Sequence, residues 1–192
     1  MSAESAFALV VVDLLNDYFD ATLWPHSVIP GLREALVERN NALVTLCRRH
    51  GIPVIWVRQA FSPDLSDAFL HMRREGRAYT IAGTPGAELL PELAVDPADL
   101  HLTKRRFSAF FDTPLHETLQ RLGCRRLILA GITTAWCIRS TATDAYQLDY
   151  ETLLVSDCMM GFTVKDHRDS LAAMDGYIAR CVPVAGLAPW LD

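Results

Sequence analysis

Short runs of apolar, β-prone residues alternate along the chain with longer stretches whose apolar positions recur at helical spacing. Residues 7–12 (FALVVV) are continuously apolar and lead straight into Asp13. A run without polar alternation predicts a strand covered on both faces. Pro30-Gly31 then opens a segment with Leu32, Ala35, Leu36, Ala42, Leu43 and Leu46 on one helical face, and Gly51 stands where it can cap the end. Further strands are predicted at 53–57 (ending at Arg58), 100–103 (ending at Lys104), 126–131, 151–156 and, more weakly, 181–184. Helices are predicted over 113–122, 137–147 and 165–178. The stretch 59–97 has the least regular pattern and carries GTPG at 83–86, which suggests a lid or an oligomer contact.

Apolar strands separated by helices imply an α/β chain: a three-layer α/β/α, Rossmann-like fold with a mainly parallel sheet of about six strands. At 192 residues the chain is expected to form a single domain over 1–192. A chain of that length buries about 70% of its unfolded surface and needs no disulfide or metal to fold. In open parallel sheets ligands bind beyond the carboxyl ends of the strands, near the point where strand order reverses. That rule selects Asp13, Arg58, Lys104, the turn 131–137 and the pair Asp157-Cys158.

Composition narrows the classes. Lys and Arg number 18 against 23 Asp and Glu, for a net charge of −5. An acidic chain is a poor match for nucleic acid, whose phosphates demand a basic surface. The five cysteines (Cys47, Cys124, Cys137, Cys158, Cys181) are odd in number, widely spaced and without a CxxC pair. Neither a disulfide framework nor a zinc knuckle is indicated. The N-terminal Met-Ser-Ala-Glu-Ser lacks the basic region of a signal peptide, and no 18-residue apolar run is present. The expectation is a cytoplasmic protein with free thiols and no membrane partner.

One thiol stands apart. Cys137 follows Gly131-Ile132-Thr133-Thr134-Ala135-Trp136, where a strand is predicted to turn into a helix. A helix start depresses a thiol's pKa and offers backbone N–H groups to an oxyanion. Lys104 would favour the thiolate further, and the Asp13 carboxylate would move protons between thiol, leaving group and water. Each residue alone also has a plain structural reading: a turn cap for Asp13, a solvated charge for Lys104 in its Lys-Arg-Arg run, a packed helix residue for Cys137. Their joint placement at strand ends is what points to chemistry. Cys158 also follows a predicted strand and is the rival nucleophile, although no glycine-rich turn leads into it.

VVVDLLNDYF (10–19), KRRFSAFFDTPL (104–115) and LILAGITTAWCIRSTATDAYQLDY (127–150), in that order, resemble the isochorismatase-like cysteine hydrolases. This family includes nicotinamidases, N-carbamoylsarcosine amidases and ureidoacrylate amidases. The resemblance spans nearly the whole chain. It implies a catalytic triad of Asp13, Lys104 and Cys137, a cis peptide between Ile132 and Thr133, and an oxyanion hole made by the backbone N–H groups of Thr133 and Cys137. The implied reaction is amide or carbamoyl C–N hydrolysis through a thioester, with ammonia released.

The chain also departs from the family. The metal site of the nicotinamidase branch reads Asp-x-His with a further His nearby, whereas VRQAFSPDLSDAFLH (57–71) offers only His71. No metal and no cofactor are therefore expected. Leu15 stands where the family usually has Gln, and Trp136 where many relatives have a small residue. Phe19, Trp24, Phe61, Tyr79 and Trp136 are candidates for an aromatic substrate pocket. Arg58 is a candidate to hold a substrate carboxylate, which favours an anionic N-carbamoyl or ureido acid. Two other readings stand beside this one: an isochorismatase-type vinyl-ether hydrolase, and a non-catalytic or redox thiol protein. The resemblance implies a small-molecule substrate and a homodimer or homotetramer.

Overall fold

The computed structural model describes residues 6–191. Strands β1 (Ala6–Val12), β2 (Val54–Gln59), β3 (Leu100–Lys104), β4 (Cys124–Ile132), β5 (Glu151–Met160) and β6 (Arg180–Val182) form one sheet in the order β3-β2-β1-β4-β5-β6. Every neighbouring pair is parallel. The helices are α1 (Arg33–Arg49), α2 (Leu70–Glu75), α3 (Leu115–Arg121), α4 (Arg139–Gln147), α5 (Val164–Met174) and α6 (Ala188–Leu191).

Alternate residues of the strands feed two separate cores. Leu9, Val11, Ile128, Ala130, Leu153 and Val155 pack with Leu36, Leu43 and Val44 of α1. Ala8, Val10, Val12, Leu127, Leu129 and Leu154 pack on the other side with Leu115 and Leu119 of α3 and Ala142 and Ala145 of α4. Period-two side chains on strands that are apolar throughout require this two-sided cover. Each fully buried Val or Leu contributes about 1.5–3 kcal/mol, and that burial is what holds the three layers together.

The element boundaries differ from the sequence pattern for local reasons. Pro30–Leu32 forms a 3-10 turn, and α-helix begins only at Arg33. The predicted helix 165–178 stops at Met174, because Gly176 takes a φ of +75° and its N–H turns back to the Ala179 carbonyl. β5 runs four residues past its predicted end at 156, because its pairing with β4 shifts between Leu129 and Gly131 and resumes at Met159 and Met160. The irregular 59–97 stretch is packed as a wall against the α1 layer, with Phe61, Phe69, Met72, Tyr79, Leu90 and Leu93 all buried there. Their spacing follows no period, because short turns rather than one long element carry them.

Chain order sets the location of the site. β1, β2 and β3 step outward in one direction, and the chain then crosses back to lay β4 on the other side of β1. The crevice opens at the carboxyl ends of β1 and β4, where the chain after β1 leads toward β2 on one side and the chain after β4 toward β5 on the other. Gly131 is essential there: its φ is +107°, and a Cβ would lie 2.0 Å from the Val12 carbonyl oxygen. Only glycine lets the end of β4 approach β1 this closely.

Candidate active site

Asp13 is the first residue beyond β1. Its N–H bonds the Val57 carbonyl, and its own carbonyl accepts from Leu15 N–H at 2.8 Å. This tight turn puts Asp13 at φ +57°, the left-handed region that aspartate tolerates better than most residues. Lys104 ends β3, two strands away, level with Gln59 on the intervening β2. Neighbouring strands lie about 4.8 Å apart, so only a long side chain can cross β2 to reach the end of β1.

Lys104 makes that crossing. Its ammonium lies 2.6 Å from Asp13 Oδ2, 3.0 Å from the Arg106 carbonyl oxygen and 3.4 Å from Cys137 Sγ. Three donors thus meet three partners, which uses the full capacity of an ammonium. The Asp13 and Lys104 side chains are completely buried, and Cys137 is 4% exposed.

Cys137 sits in a π-type turn, Thr134–Ile138, that precedes α4. The N–H groups of Trp136 and Ile138 both bond the Thr133 carbonyl, and the Ile132–Thr133 peptide is cis. The turn is tied down from two sides. Thr134 Oγ1 pairs with His167 Nδ1 of α5 at 2.8 Å. Thr141 Oγ1 donates to the Cys137 carbonyl and accepts from Ala109 N–H, which links the segment after β3 to the nucleophile's helix.

The electrostatics correct one expectation. Burial pushes the Cys137 thiol up to about 12, while the Lys104 charge pulls the other way. The helix start and the lysine do not yield a resting thiolate, because Lys104 is already compensated by Asp13 and the sulfur has lost its water. Burial also raises the Asp13 carboxyl above its usual range, against the pull of Lys104. For Lys104, burial is the largest single influence and works against the ammonium, but the charges of Asp13 and Cys137 and the hydrogen bonds to them together outweigh it and move the pKa upward. Burial thus raises both the Cys137 thiol and the Asp13 carboxyl, and Lys104 beside them opposes it.

Above Cys137 lies a cavity of about 360 Å³, lined by Tyr18, Trp24, Phe69, His71, Tyr79, Phe107, Thr133, Trp136, Cys137 and Phe162. Trp24 stacks on Phe162 with ring centroids 4.7 Å apart, and Phe69 on Phe107 at 4.4 Å. No Asp, Glu, Lys or Arg side chain is in this lining. The Arg77 guanidinium covers Trp24 at 4.5 Å and donates to the Leu23 carbonyl.

Of the sequence candidates, the structure brings Asp13, Lys104 and Cys137 into contact and places Thr133, Trp24, Tyr79 and Trp136 on the cavity. Three expectations need correction. Arg58 is not part of the cavity lining, and its guanidinium is paired with Glu88. Phe61 is wholly buried behind the lining, edge-on to Phe69 at 5.2 Å. Phe19 belongs to the core. The rival Cys158 lies within β5, buried against α1, with its thiol directed to the Arg39 carbonyl; burial raises its pKa.

The isochorismatase domain family matches residues 7–187. The chain belongs to this family. It is therefore an isochorismatase-family hydrolase. A curated relative described as "Probable inactive nicotinamidase", from Arabidopsis thaliana, is 34% identical over 175 residues, covering 87% of each chain. A ureidoacrylate amidohydrolase of Methylorubrum extorquens is 31% identical over 172 residues, covering 79% of this chain and 68% of the relative. An isochorismatase family protein from Desulfovibrio vulgaris has a crystal structure that matches at a TM-score of 0.86 with 31% identity, over 98% of this chain and 99% of the other.

The nicotinamidase-type metal position does not suit this chain's residues. Gln59 and Phe61 stand at the end of β2, an amide and a phenyl ring, and the His71 ring stacks on Phe69 and meets the Tyr79 hydroxyl at 3.1 Å. Among the described residues, no group of three His, Cys, Asp or Glu side chains is arranged to hold a metal ion. Nor is any helix among them long and apolar enough to cross a membrane.

Sequence reasoning missed Tyr18, Phe69, His71, Phe107 and Phe162. Phe107 and Phe162 lie two or three residues past strand ends, so the carboxyl-edge rule applied one turn further would have found them. Tyr18 lies next to last in the first quoted motif. Phe69 and His71 carry no local signal, since the irregular segment brings them in.

Proposed function

We propose that the chain is a cysteine-dependent amidohydrolase that cleaves the C–N bond of a small carboxamide or N-carbamoyl compound and releases ammonia. The buried Asp13–Lys104–Cys137 contact at the floor of an uncharged aromatic cavity carries this reading. A nucleophile, a base with raised proton affinity and a fixed cation meet where a flat, neutral substrate would be seated.

The steps follow from those positions. Asp13 takes the Cys137 proton as sulfur attacks the carbonyl carbon, and the C=O electrons move onto oxygen. Backbone N–H groups of Thr133 and Cys137 are assigned to hold that oxyanion, each worth about 10²–10³ in rate. The intermediate collapses, the C–N bond breaks, and Asp13 returns its proton to nitrogen, so ammonia departs and a thioester remains. Asp13 then deprotonates water, which attacks the thioester. The C–S bond breaks, the acid is released and the proton returns to sulfur. Lys104 keeps its charge throughout and holds the carboxylate in reach.

The cavity changes the preferred substrate. With Arg58 committed to Glu88, the lining holds no cation for an anionic N-carbamoyl or ureido acid. Neutral amides and ureides with an aromatic or apolar acyl part fit the lining better. Isochorismate, a dicarboxylate, fits it least, so vinyl-ether hydrolysis has the weaker support.

Wild type and Cys137→Ala should be incubated with a panel of carboxamides, ureido acids and isochorismate, with ammonia and pyruvate assayed. Ammonia from wild type alone is the expected result. Pyruvate from both proteins would favour the vinyl-ether reading. Silence from wild type across the panel would count against any amidohydrolase, and the relative described as inactive makes that outcome a meaningful one.

A further inference from the structure

Three hydroxyls line the cavity, those of Tyr18, Tyr79 and Thr133, and the Thr133 hydroxyl has no hydrogen-bond partner among the described residues. Tyr79 is engaged with His71. The Tyr18 hydroxyl donates to the side-chain carbonyl of Gln59, which is completely buried at the end of β2, beside Lys104 in register. A phenol has one proton and two lone pairs. With its proton committed to Gln59, the Tyr18 oxygen can only accept. Its neighbourhood makes ionisation difficult: burial first, then the charges of Cys137 and Asp13, hold the phenol well above its usual pKa. Tyr18 therefore stays a neutral phenol close to the nucleophile and the base.

Asp13 is a second acceptor: its carboxylate takes the Lys104 ammonium on Oδ2 and further hydrogen bonds from the Cys137 thiol and the Gln59 backbone, and a carboxylate likewise only accepts. Two acceptors thus stand near Cys137 where a leaving group must sit. A primary amide nitrogen brings two hydrogens to such a place, whereas an ester oxygen brings lone pairs and no hydrogen. Leaving a buried acceptor unmet, or facing it with another acceptor, is costly.

We propose that Tyr18, oriented by Gln59, is a specificity residue that reads the leaving group: its oxygen accepts an N–H of a primary amide or carbamoyl nitrogen and disfavours an ester oxygen in the same position. This rests on the amidohydrolase reading above. In it, Tyr18 touches substrate and Gln59 is a positioning residue that acts through Tyr18.

The test takes whichever amide of the panel wild type cleaves and pairs it with the methyl ester of the same acyl group. Both substrates pass through one thioester, so a difference in kcat/KM reports acylation alone. For Tyr18→Phe, kcat/KM for the amide should fall about 10- to 100-fold, the scale of one buried hydrogen bond, while the ester changes less than about twofold or improves. Gln59→Leu frees the Tyr18 proton and should narrow the amide-to-ester ratio with Tyr18 still present, which keeps the proposal testable if Tyr18→Phe folds poorly. Equal loss on amide and ester in either folded variant would make the pair simple packing and overturn the proposal. Wild type inactive on every amide would instead overturn the amidohydrolase reading, and this proposal with it.

Discussion

The short strand β3 is bracketed by two ion pairs that differ in kind, one partly exposed and one fully buried. Before its first residue, Asp99 Oδ2 accepts from Arg48 at 2.6 Å, Trp56 Nε1 at 2.8 Å and Asp96 N–H at 2.9 Å. At its last residue, Lys104 meets Asp13 Oδ2, and the Asp13 carboxylate also faces the Cys137 thiol. The Asp99 oxygen takes three donors, which tie α1, β2 and the entry to β3 together. The Asp13 carboxylate is buried more deeply, and part of its capacity faces a thiol. Buried polar groups are normally satisfied, and here the partners are a lysine and a thiol at the floor of a cavity rather than the framework of the fold.

The largest effect separates chemistry from structure. Cys137→Ala should lower ammonia release by about 10⁴-fold or more, with a thermal midpoint close to wild type. A variant keeping a tenth of the activity would remove the site from its side of the comparison. Stability comes next. Lys104→Met leaves Asp13 charged and unpaired in a dry interior and should cost about 3–5 kcal/mol in urea unfolding. Arg48 is one-third exposed, and the remaining donors still satisfy Asp99, so Arg48→Met should cost only about 1–2 kcal/mol. Equal losses would erase the distinction.

The pH dependence sharpens it further. Asp13 must be ionised to act as base, and burial raises its pKa above 3.8. The kcat/KM profile should therefore fall on acidification along a limb centred above that value, and Arg48→Met should leave the limb in place. The stability linkage has the opposite sense. Because the folded state prefers protonated Asp13, its favourable contribution is present below 3.8 and is lost as pH rises through the raised value. The raised Lys104 pKa preserves that residue's contribution until pH passes above 10.5.

Two smaller effects close the series. Cys158→Ala should lose roughly 1–2 kcal/mol through a small cavity and keep its rate within about twofold, because that thiol packs against α1. Arg58→Ala should change KM by less than about twofold, since its partner is Glu88, an exposed ion pair of little energetic weight. A tenfold rise in KM for an anionic substrate would return Arg58 to the site.

Local pattern alone determined the six strands, most helices and the two-sided sheet. Those features depend on whether neighbouring residues are apolar, and a strand's or helix's period is written within about ten positions. The strand-end rule and the three quoted motifs likewise made Asp13, Lys104 and Cys137 legible. What the tertiary structure decided was which groups meet. Lys104 reaches Asp13 only because β3 lies two strands from β1 in the sheet order. Arg58 pairs instead with Glu88, 30 residues on. The cavity collects rings from segments as distant as Tyr18 and Phe162. The thiol's high pKa comes from the water that packing removes. Partnership and desolvation are properties of surfaces brought together, and no window along the chain contains them.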